Sequence, residues 1–599
     1  MIALTPISRF GQLISARPLA LFSCLSSICL LLAHESFVSI SPQTSYIPTL
    51  ILVCLPLWAL SVGVLSNATK VWIWISIIVG GFALISAGEY AFLQKRAHAP
   101  LADPGNYVTL LSLVWVPWLL FTAQASVRFR SFYLVALSFV FCFALLATHS
   151  RFAWLVIAVS LTLVLISKFR MGFSWPVVSQ VGLGIFVAIA CYVGFDHGGL
   201  NSSFLESTRE ISQVSPRRML WASTVQAWHD YGGLNGTGVF TFSLLYPSVR
   251  SPLEYGTTGL LVHNDLLQLM LEGGLWLMLP FVFMTSFVVW IFSKQLFGLK
   301  CDRMLFVAAS ALLVAIGHSM VNFVFYVLPL IVLIGLLLGY LLFKNEIVYA
   351  RQSVFSFSAQ VQIRIGRLTK WGVVLLVSLN VGFLGLDIFT NGVFSGHATV
   401  PGVKLVQAST ENMLSYARFA QSANPNRSTP IFAQAKILEA LYAEKPTPLL
   451  LSQANATYEK AVETDAWNPH VYLSYLNFLA VNNERLGVKP EVQLRLLERA
   501  MFVNPYEVET NLTALMWFNA YGKSREIEAL LRQSIEWCET MRPGQTATKL
   551  FLNLGLWAQA AETDRYNQRL DHCRNFLDQK QERMQSHSKT RFYQWLESN

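Results

Sequence analysis

Eleven long apolar stretches run through this sequence, and a chain that carries them has few folds open to it. A membrane-spanning helix needs about 17 to 25 predominantly apolar residues, because hydrocarbon offers no partner to a peptide group and the helix satisfies them all internally. Windows of that kind lie near residues 18 to 34, 46 to 65, 71 to 93, 107 to 125, 129 to 148, 152 to 169, 175 to 195, 275 to 296, 304 to 326, 328 to 343 and 371 to 390. After about residue 391 no such run occurs. Apolar residues make up 54% of the 599, charged residues 13%, and the mean hydropathy is +0.46, which sets the chain apart from soluble globular proteins. The expected fold is all-α. It is a polytopic membrane bundle of about eleven transmembrane helices over residues 1–390, with a long loop at about 196–272, followed by a helical domain over 391–599.

Basic residues orient such a bundle, since Lys and Arg are retained on the cytoplasmic side. With the N-terminus inside, the internal segments carry Arg9, Arg17, Lys70, Arg128, Arg130, Lys168, Arg170, Lys300, Arg303 and the group Lys344, Arg351, Arg364, Arg367 and Lys370. The 196–272 loop and the tail then lie outside the cytoplasm. Lys95 and Arg96 break the pattern, because they fall in an outer loop. The first window is long and lacks a small-residue cleavage site, so it is expected to stay as a helix. The net charge of +10 belongs largely to the cytoplasmic segments and implies contact with anionic membrane lipid. No aromatic-basic stripe points to nucleic acid, and none is expected as a partner. Cys24, Cys29, Cys54, Cys142, Cys191 and Cys301 lie in or beside the windows and act there as small apolar residues. Cys538 and Cys573 lie in the tail, where an oxidising compartment would allow them to pair.

The tail has helical rather than alternating patterning. Asn-Pro pairs at 424, 468 and 504 open three related stretches, with "EKPTP" as an insertion between the first two. A period near 34 residues with small and aromatic positions inside paired helices is that of tetratricopeptide-type (TPR) repeats, and proline is tolerated at the first helical turn because its missing N–H is not needed there. Stacked repeats present a binding surface, so a protein partner is expected on this domain. A plain helical bundle is the alternative.

The long loop holds "SPRRMLWASTVQAWHDYGGLNGTGVFTF" and then "GLLVHNDLLQLMLEGGLW". Arg218 and Trp221 are three apart on one face of an expected helix that stops at Gly232-Gly233. "NGTG" supplies a tight turn with room for close approach. A helix starting at about His263 would set Asn264, Gln268 and Glu272 along one polar face and leave His263 at the helix mouth. Such a histidine is either an interfacial packing residue or a proton acceptor. In "ATHSRFAWL", Arg151 sits in a short turn between two windows; it either snorkels to headgroups or marks a functional site on the side that positive residues avoid. In "GHSMVNF", His318 is expected to pack within the bundle.

Two arginines and a histidine on one face suit chemistry on a large anionic, lipid-linked substrate. A guanidinium fork matches phosphate oxygens, and a histidine relays protons near neutral pH. The chain contains no D-x-D pair, so no metal site and no cofactor are expected; fixed cations would stabilise a leaving pyrophosphate.

At these residues the chain resembles the O-antigen ligase and polymerase superfamily of bacterial envelope glycosyltransferases, which includes the protein O-oligosaccharyltransferases. The matching pieces are "GNYVTLLSLVWVPW" (105 to 118), "THSRFAWL" (148 to 155), "RRMLWASTVQAW" leading to "GGLNGTGVF" (217 to 240), "VHNDLLQLMLEGGLW" (262 to 276) and "GHSMVNF" (317 to 323). The resemblance implies a bacterial inner-membrane enzyme with its loop and tail in the periplasm. It would transfer a glycan en bloc from undecaprenyl pyrophosphate to an acceptor hydroxyl. It also implies that His263 is the catalytic loop histidine and that Arg151 and Arg218 bind the donor pyrophosphate; Asn264, Gln268, Glu272, His318 and Trp221 are expected to support them. This chain departs from the family pattern at Tyr107 and Val108, where a polar residue is common after Gly-Asn, and at Asn322, where an acidic residue is common. Another glycan, lipid A core of lipopolysaccharide, and a protein hydroxyl all fit as acceptors. A transporter or a non-catalytic envelope scaffold is the alternative from another class; the former usually shows paired halves, which are absent among the windows.

Overall fold

The computed structural model describes residues 18–64, 68–93, 96–98, 100–101, 103–122, 130–172, 174–195, 216–250, 261–299, 301–344, 371–372, 374–386, 409–423 and 428–505, with 514 and 517. Arg9, Arg17, Lys95, Arg128, Lys300, the basic group from Arg351 to Lys370, Asn424, Cys538 and Cys573 lie outside them. The described residues form helices and no strand. They are α1 (Pro18–Val38), α2 (Pro42–Val64), α3 (Ala68–Leu93), α4 (Pro104–Thr122), α5 (Arg130–Leu146), α6 (Arg151–Met171), α7 (Trp175–Phe195), α8 (Pro216–Ala227), α9 (Phe242–Val249), α10 (Asp265–Phe297), α11 (Arg303–Ser319), α12 (Leu328–Lys344), α13 (Val374–Leu386), α14 (Thr410–Ala423), α15 (Ser428–Glu444), α16 (Pro448–Thr464), α17 (Pro469–Leu486) and α18 (Pro490–Val503).

A helix runs through each of the eleven apolar windows. Among the described residues six are long and apolar enough to cross a membrane: Ala20–Val38, Ser45–Val62, Trp74–Leu93, Arg151–Arg170, Trp175–Phe195 and Asp265–Phe297. These make the chain a multi-pass membrane protein. Arg130–Leu146, Arg303–Ser319, Leu328–Phe343 and Val374–Leu386 are shorter apolar helices. Phe22, Phe92, Phe132, Phe186 and Phe283 are exposed, as large apolar side chains facing lipid should be.

Two apolar helices gain nothing from hiding from lipid tails, so their association depends on close packing and on polar contacts. Gly335 and Gly339, four apart on α12, show the first. A Cβ at Gly335 would stand 2.7 Å from the Leu55 carbonyl oxygen, and one at Gly339 would stand 2.4 Å from that of Ala59, so α12 lies backbone to backbone on α2. Asn380 shows the second: its Nδ2 donates to the Leu50 carbonyl at 2.8 Å and its Oδ1 accepts from the Cys54 thiol at 3.1 Å, pinning α13 to α2.

Helix α10 has 33 residues, roughly 50 Å at ~1.5 Å per residue, more than the ~30 Å of hydrocarbon requires. It is two helices joined at Gly274, whose φ of 52° and ψ of −142° are not helical. The segment from Leu275 onward is long enough to span by itself; the segment before the break carries the polar residues.

The residues divide into two compact units. The first holds α1–α7, the 228–241 loop and α10–α13; the second holds α8, α9 and the tail helices. In the second unit each tail helix packs on its neighbour in sequence, from α14 to α18. Asn468 caps α17 by accepting from the His470 N–H at 3.1 Å, with Pro469 in the first turn. Alternate helices begin at Thr410, Pro448 and Pro490, a longer two-helix step than the ~34 residues of tetratricopeptide repeats. Helix α9 packs on α18, where Arg250 Nη2 donates to Asn504 Oδ1 at 3.3 Å and both residues are buried. Helices α8 and α9 of the long loop thus share a unit with the tail helices.

Candidate functional site

The helix expected at His263 begins two residues later. Asn264 is its N-cap, with extended backbone, and its side chain accepts from the Leu267 N–H at 3.1 Å. His263 stands outside the helix with φ 54°, a left-handed conformation that costs a non-glycine residue about 1 to 2 kcal/mol. Its neighbours impose that conformation. Val262 N–H donates to Gln268 Oε1 at 3.1 Å, Asn264 is held by its cap, and Asp265 Oδ2 accepts the backbone N–H groups of Val324 and Phe325 at 2.8 and 3.1 Å. With both sides clamped, the residue between them has no other path. Such strain persists only where the surroundings over-determine it, and it clusters at functional sites.

The half-buried imidazole meets Phe323 edge-on, with 4.9 Å between ring centroids, and places Nδ1 3.3 Å from Asn322 Oδ1. Asn322 is buried, and its Nδ2 donates to Asn106 Oδ1 at 3.2 Å and reaches Asp103 Oδ1 at 3.5 Å. Asp103 Oδ1 also accepts the Asn106 N–H at 2.7 Å, which caps the start of α4. An aspartate oxygen opposite the Asn322 amide assigns that atom as the NH₂, so the Asn322 oxygen is left to accept from His263 Nδ1–H. His263 then presents Nε2 as its basic nitrogen. Gly105 permits the approach, since a Cβ there would lie 2.6 Å from Asn322 Nδ2.

The polar face expected for Asn264, Gln268 and Glu272 is not a solvent face. Gln268 and Glu272 are fully buried. Gln268 Nε2 donates to Glu272 Oε1 at 3.0 Å, while Glu272 Oε2 accepts from the Phe240 N–H at 2.7 Å and the Tyr326 hydroxyl at 2.6 Å.

This network locks the "GGLNGTGVF" loop to the break in α10. The N–H groups of Thr237 and Gly238 donate to the Glu272 carbonyl at 3.0 and 2.8 Å, and Leu275 N–H donates to the Leu234 carbonyl at 2.9 Å. A Cβ at Gly236 would stand 2.4 Å from the Glu272 carbonyl oxygen, and one at Gly274 would stand 2.2 Å from that of Leu234. From the other side, His34 Nε2 lies 2.9 Å from the Asn235 carbonyl and Ile40 N–H donates to the Thr237 carbonyl at 2.8 Å. Phe240, at φ 66°, is a second strained residue in this region.

Arg151 is the first residue of α6, behind the N-cap Ser150, and is exposed. His149, two residues earlier, is the third non-glycine residue at positive φ (51°) among the described residues. It is boxed by Tyr90 and Tyr192 at ring-centroid distances of 5.3 and 5.9 Å. Next to Arg151, Phe152 stacks flat on His318 at 3.8 Å, and His318 Nδ1 lies 2.5 Å from Thr109 Oγ1 on α4. His318 is therefore a packed residue that links the α6 start to the helix carrying Asn106. Arg218 and Trp221 lie on α8 in the other unit; Arg218 is exposed and Trp221 half-buried. Tyr107 and Val108 are fully buried, and Tyr107 accepts from the Ser86 hydroxyl at 3.0 Å, so both are packing residues.

Asp103, Asn106, Asp265, Tyr326 and His34 were not singled out by sequence. Their one local signal is a polar residue at the edge of an apolar window. Among the described residues no cluster of His, Cys, Asp and Glu has metal-binding geometry. In comparisons with known proteins no family model matches the chain, and no curated protein and no solved structure is significantly similar to it.

Proposed function

We propose that this protein is a membrane glycosyltransferase of the O-antigen ligase and polymerase type, moving a glycan en bloc from undecaprenyl pyrophosphate to an acceptor hydroxyl at the periplasmic face of the bacterial inner membrane. The observation that carries this reading is His263, held in a strained backbone conformation with Nδ1 3.3 Å from Asn322 Oδ1. A strained, half-buried histidine with a fixed tautomer is built for proton transfer rather than for packing.

In the reaction the acceptor oxygen attacks the anomeric carbon of the donor sugar as its proton passes to His263 Nε2. The bond from that carbon to the phosphate oxygen breaks, and the electron pair leaves with undecaprenyl pyrophosphate. Arg151 stabilises the leaving anion, since a guanidinium aimed at developing charge lowers the barrier. Arg218 enters through the resemblance of "RRMLWASTVQAW" alone, as a second pyrophosphate contact. Asn322 holds the imidazole, and Asn264, Asp265, Gln268 and Glu272 hold the backbone around it. The tail would dock a macromolecular acceptor or a protein partner.

Reconstitution of the full chain in lipid with an undecaprenyl-pyrophosphate-linked glycan tests the reading, with a second lipid-linked glycan, lipid A core and an acceptor protein supplied in turn. Transfer to one acceptor, lost in His263→Ala, is expected. No transfer to any of the three would overturn it in favour of a scaffold.

A further inference from the structure

At the end of α10 farthest from His263, Arg170 and Gln295 tie the last turn of α6 to the last turn of α10. Arg170 Nη2 donates to the Gln295 main-chain carbonyl at 3.1 Å and to that of Gly298. Gln295 is fully buried, and its Oε1 accepts the Asp302 N–H at 2.7 Å, just ahead of α11. These bonds leave N–H groups over. Arg170 Nε and Gln295 Nε2 are both buried with no hydrogen-bond partner among the described residues, and the two residues that carry them are joined by the bond already given. Capping the C-terminus of α10 accounts for Arg170 Nη2, but not for Nε or for the Gln295 amide. A buried donor without an acceptor is uncommon in a folded protein, because it has given up water for nothing. Both orphaned groups are donors, so what satisfies them is a group rich in acceptors.

The charge at this corner makes that acceptor an anion. Segments 168–175 and 290–305 carry Lys168, Arg170, Lys294, Lys300 and Arg303 against one acid, Asp302. Asp302 Oδ1 is engaged by the Met304 and Leu305 N–H groups at 2.9 and 3.2 Å, capping α11. Arg170, Arg303 and Asp302 all act electrostatically on Cys301, which sets them at one corner of the same compact unit. Aromatic side chains mark this corner as the edge of the hydrocarbon. Lys168 Nζ sits 3.6 Å from the centre of the exposed Trp175 ring and Lys294 Nζ 5.1 Å from that of the exposed Trp290 ring, while Phe297 and Leu299 are exposed beside them in sequence. Tryptophan and basic side chains collect at headgroup level, where an apolar body and a polar tip are both accommodated.

We propose that the Arg170–Gln295 corner binds the phosphate of an anionic lipid headgroup. The half-buried guanidinium offers its remaining N–H groups to the phosphate oxygens, the buried Gln295 amide forms the floor, and Lys168, Lys294 and Arg303 supply the surrounding positive field. Basic pockets between transmembrane helices are a recurring form of phospholipid site. Water in the same place would satisfy the two donors but not the charge. A soluble phosphate shares the chemistry; the exposed Phe297 and Leu299, along which acyl chains pack, favour a lipid. The site lies at the other end of α10 from His263 and stands independently of the glycosyltransferase reading.

The test uses the full chain in lipid discs, comparing phosphatidylcholine alone with phosphatidylcholine plus phosphatidylglycerol, and adding inorganic phosphate to the former. The wild type is expected to unfold about 3 °C or more higher with phosphatidylglycerol, and to gain nothing from inorganic phosphate. Gln295→Glu keeps Oε1 for the Asp302 N–H and replaces the orphaned donor with an anionic oxygen, which sets an internal anion beside Arg170. Its stability in phosphatidylcholine should hold or rise, and most of the phosphatidylglycerol gain should vanish. Arg170→Lys keeps the charge, loses the fork, and should also lose most of the gain. Arg130→Gln lowers the net charge by the same one unit as Gln295→Glu, at the start of α5, and should keep the gain. No gain in the wild type, or an undiminished gain in Gln295→Glu and Arg170→Lys, would overturn the proposal. An equal loss in Arg130→Gln would overturn it too, by reducing the effect to net charge. Equal protection by inorganic phosphate would overturn the lipid as the ligand in favour of a soluble anion.

Discussion

Asn322 Oδ1 lies 3.3 Å from His263 Nδ1, joining two residues 59 positions apart in the chain. One arises just ahead of α10, the other in the turn between α11 and α12, and Asp265 ties the two segments together through the Val324 and Phe325 N–H groups. The relationship makes the histidine's tautomer a consequence of tertiary packing, and several expectations follow from it.

Loss of the imidazole should remove activity without unfolding the chain. His263→Ala and His263→Gly are both expected to be inactive in transfer from the lipid pyrophosphate donor. Glycine tolerates the left-handed backbone, so His263→Gly should be about 1 kcal/mol more stable than His263→Ala, measurable by thermal unfolding. Wild-type transfer in either variant would remove His263 from the site.

Asn322 acts through His263, so its variants should alter the pH profile. Asn322→Leu leaves the tautomer unfixed and should lower kcat on the order of a hundredfold with the acceptor KM little changed. Asn322→Asp sets an anion beside the ring. That favours the imidazolium, so the basic form appears only at higher pH and the acid limb of the kcat profile should move alkaline. An unmoved limb would mean that Asn322 does not touch the ionisation of the base.

Glu272 collects three donors: Phe240 N–H, the Tyr326 hydroxyl and Gln268 Nε2. Glu272→Gln replaces one acceptor oxygen with an NH₂ and leaves a buried donor unsatisfied, at about 1 to 3 kcal/mol. A lower unfolding temperature, with the defect centred on the 232–241 loop in hydrogen exchange, is the expected result.

Gly274→Ala should be far worse than an average glycine substitution. The new Cβ would stand 2.2 Å from the Leu234 carbonyl oxygen, a backbone atom that cannot rotate away, at a φ of 52°. A loss of roughly 3 kcal/mol or more is expected. Gly81→Ala, with nothing within 4 Å, is the control and should be neutral or slightly stabilising.

In the second unit, Arg250→Ala should loosen α9 from α18 by removing the buried bond to Asn504. A hydrogen bond to a charged group contributes about 1.5 to 3 kcal/mol. Faster amide exchange in both helices would show it; an effect confined to α9 would exclude the coupling.

The apolar windows, the caps and the glycine turns were legible because each is a local property. A run of apolar residues must be a helix wherever hydrocarbon surrounds it, the Asn-Pro pair at 468 opens the helix that follows it, and Gly236 supplies a positive φ that its own turn demands. Local periodicity also proposed a polar face on α10, but not what that face meets. The stripe of Gln268 and Glu272 is polar because Phe240 and Tyr326 bring donors to it, not because water does. Whether a polar side chain faces solvent or a distant partner depends on chain segments that periodicity does not see.

Sequence alone determined that this chain builds helices through a membrane, and which histidine and arginines are out of place there, since transfer energies and caps act over a few residues. Tertiary structure decided what those residues meet. Asn106 and Asn322 are 216 positions apart, and the 2.6 Å bond from Arg96 to Thr148 spans 52. Contacts of that range exist only once loop closure and helix packing have been satisfied together. The backbone conformation of His263 is likewise imposed by partners on both sides rather than chosen by the residue.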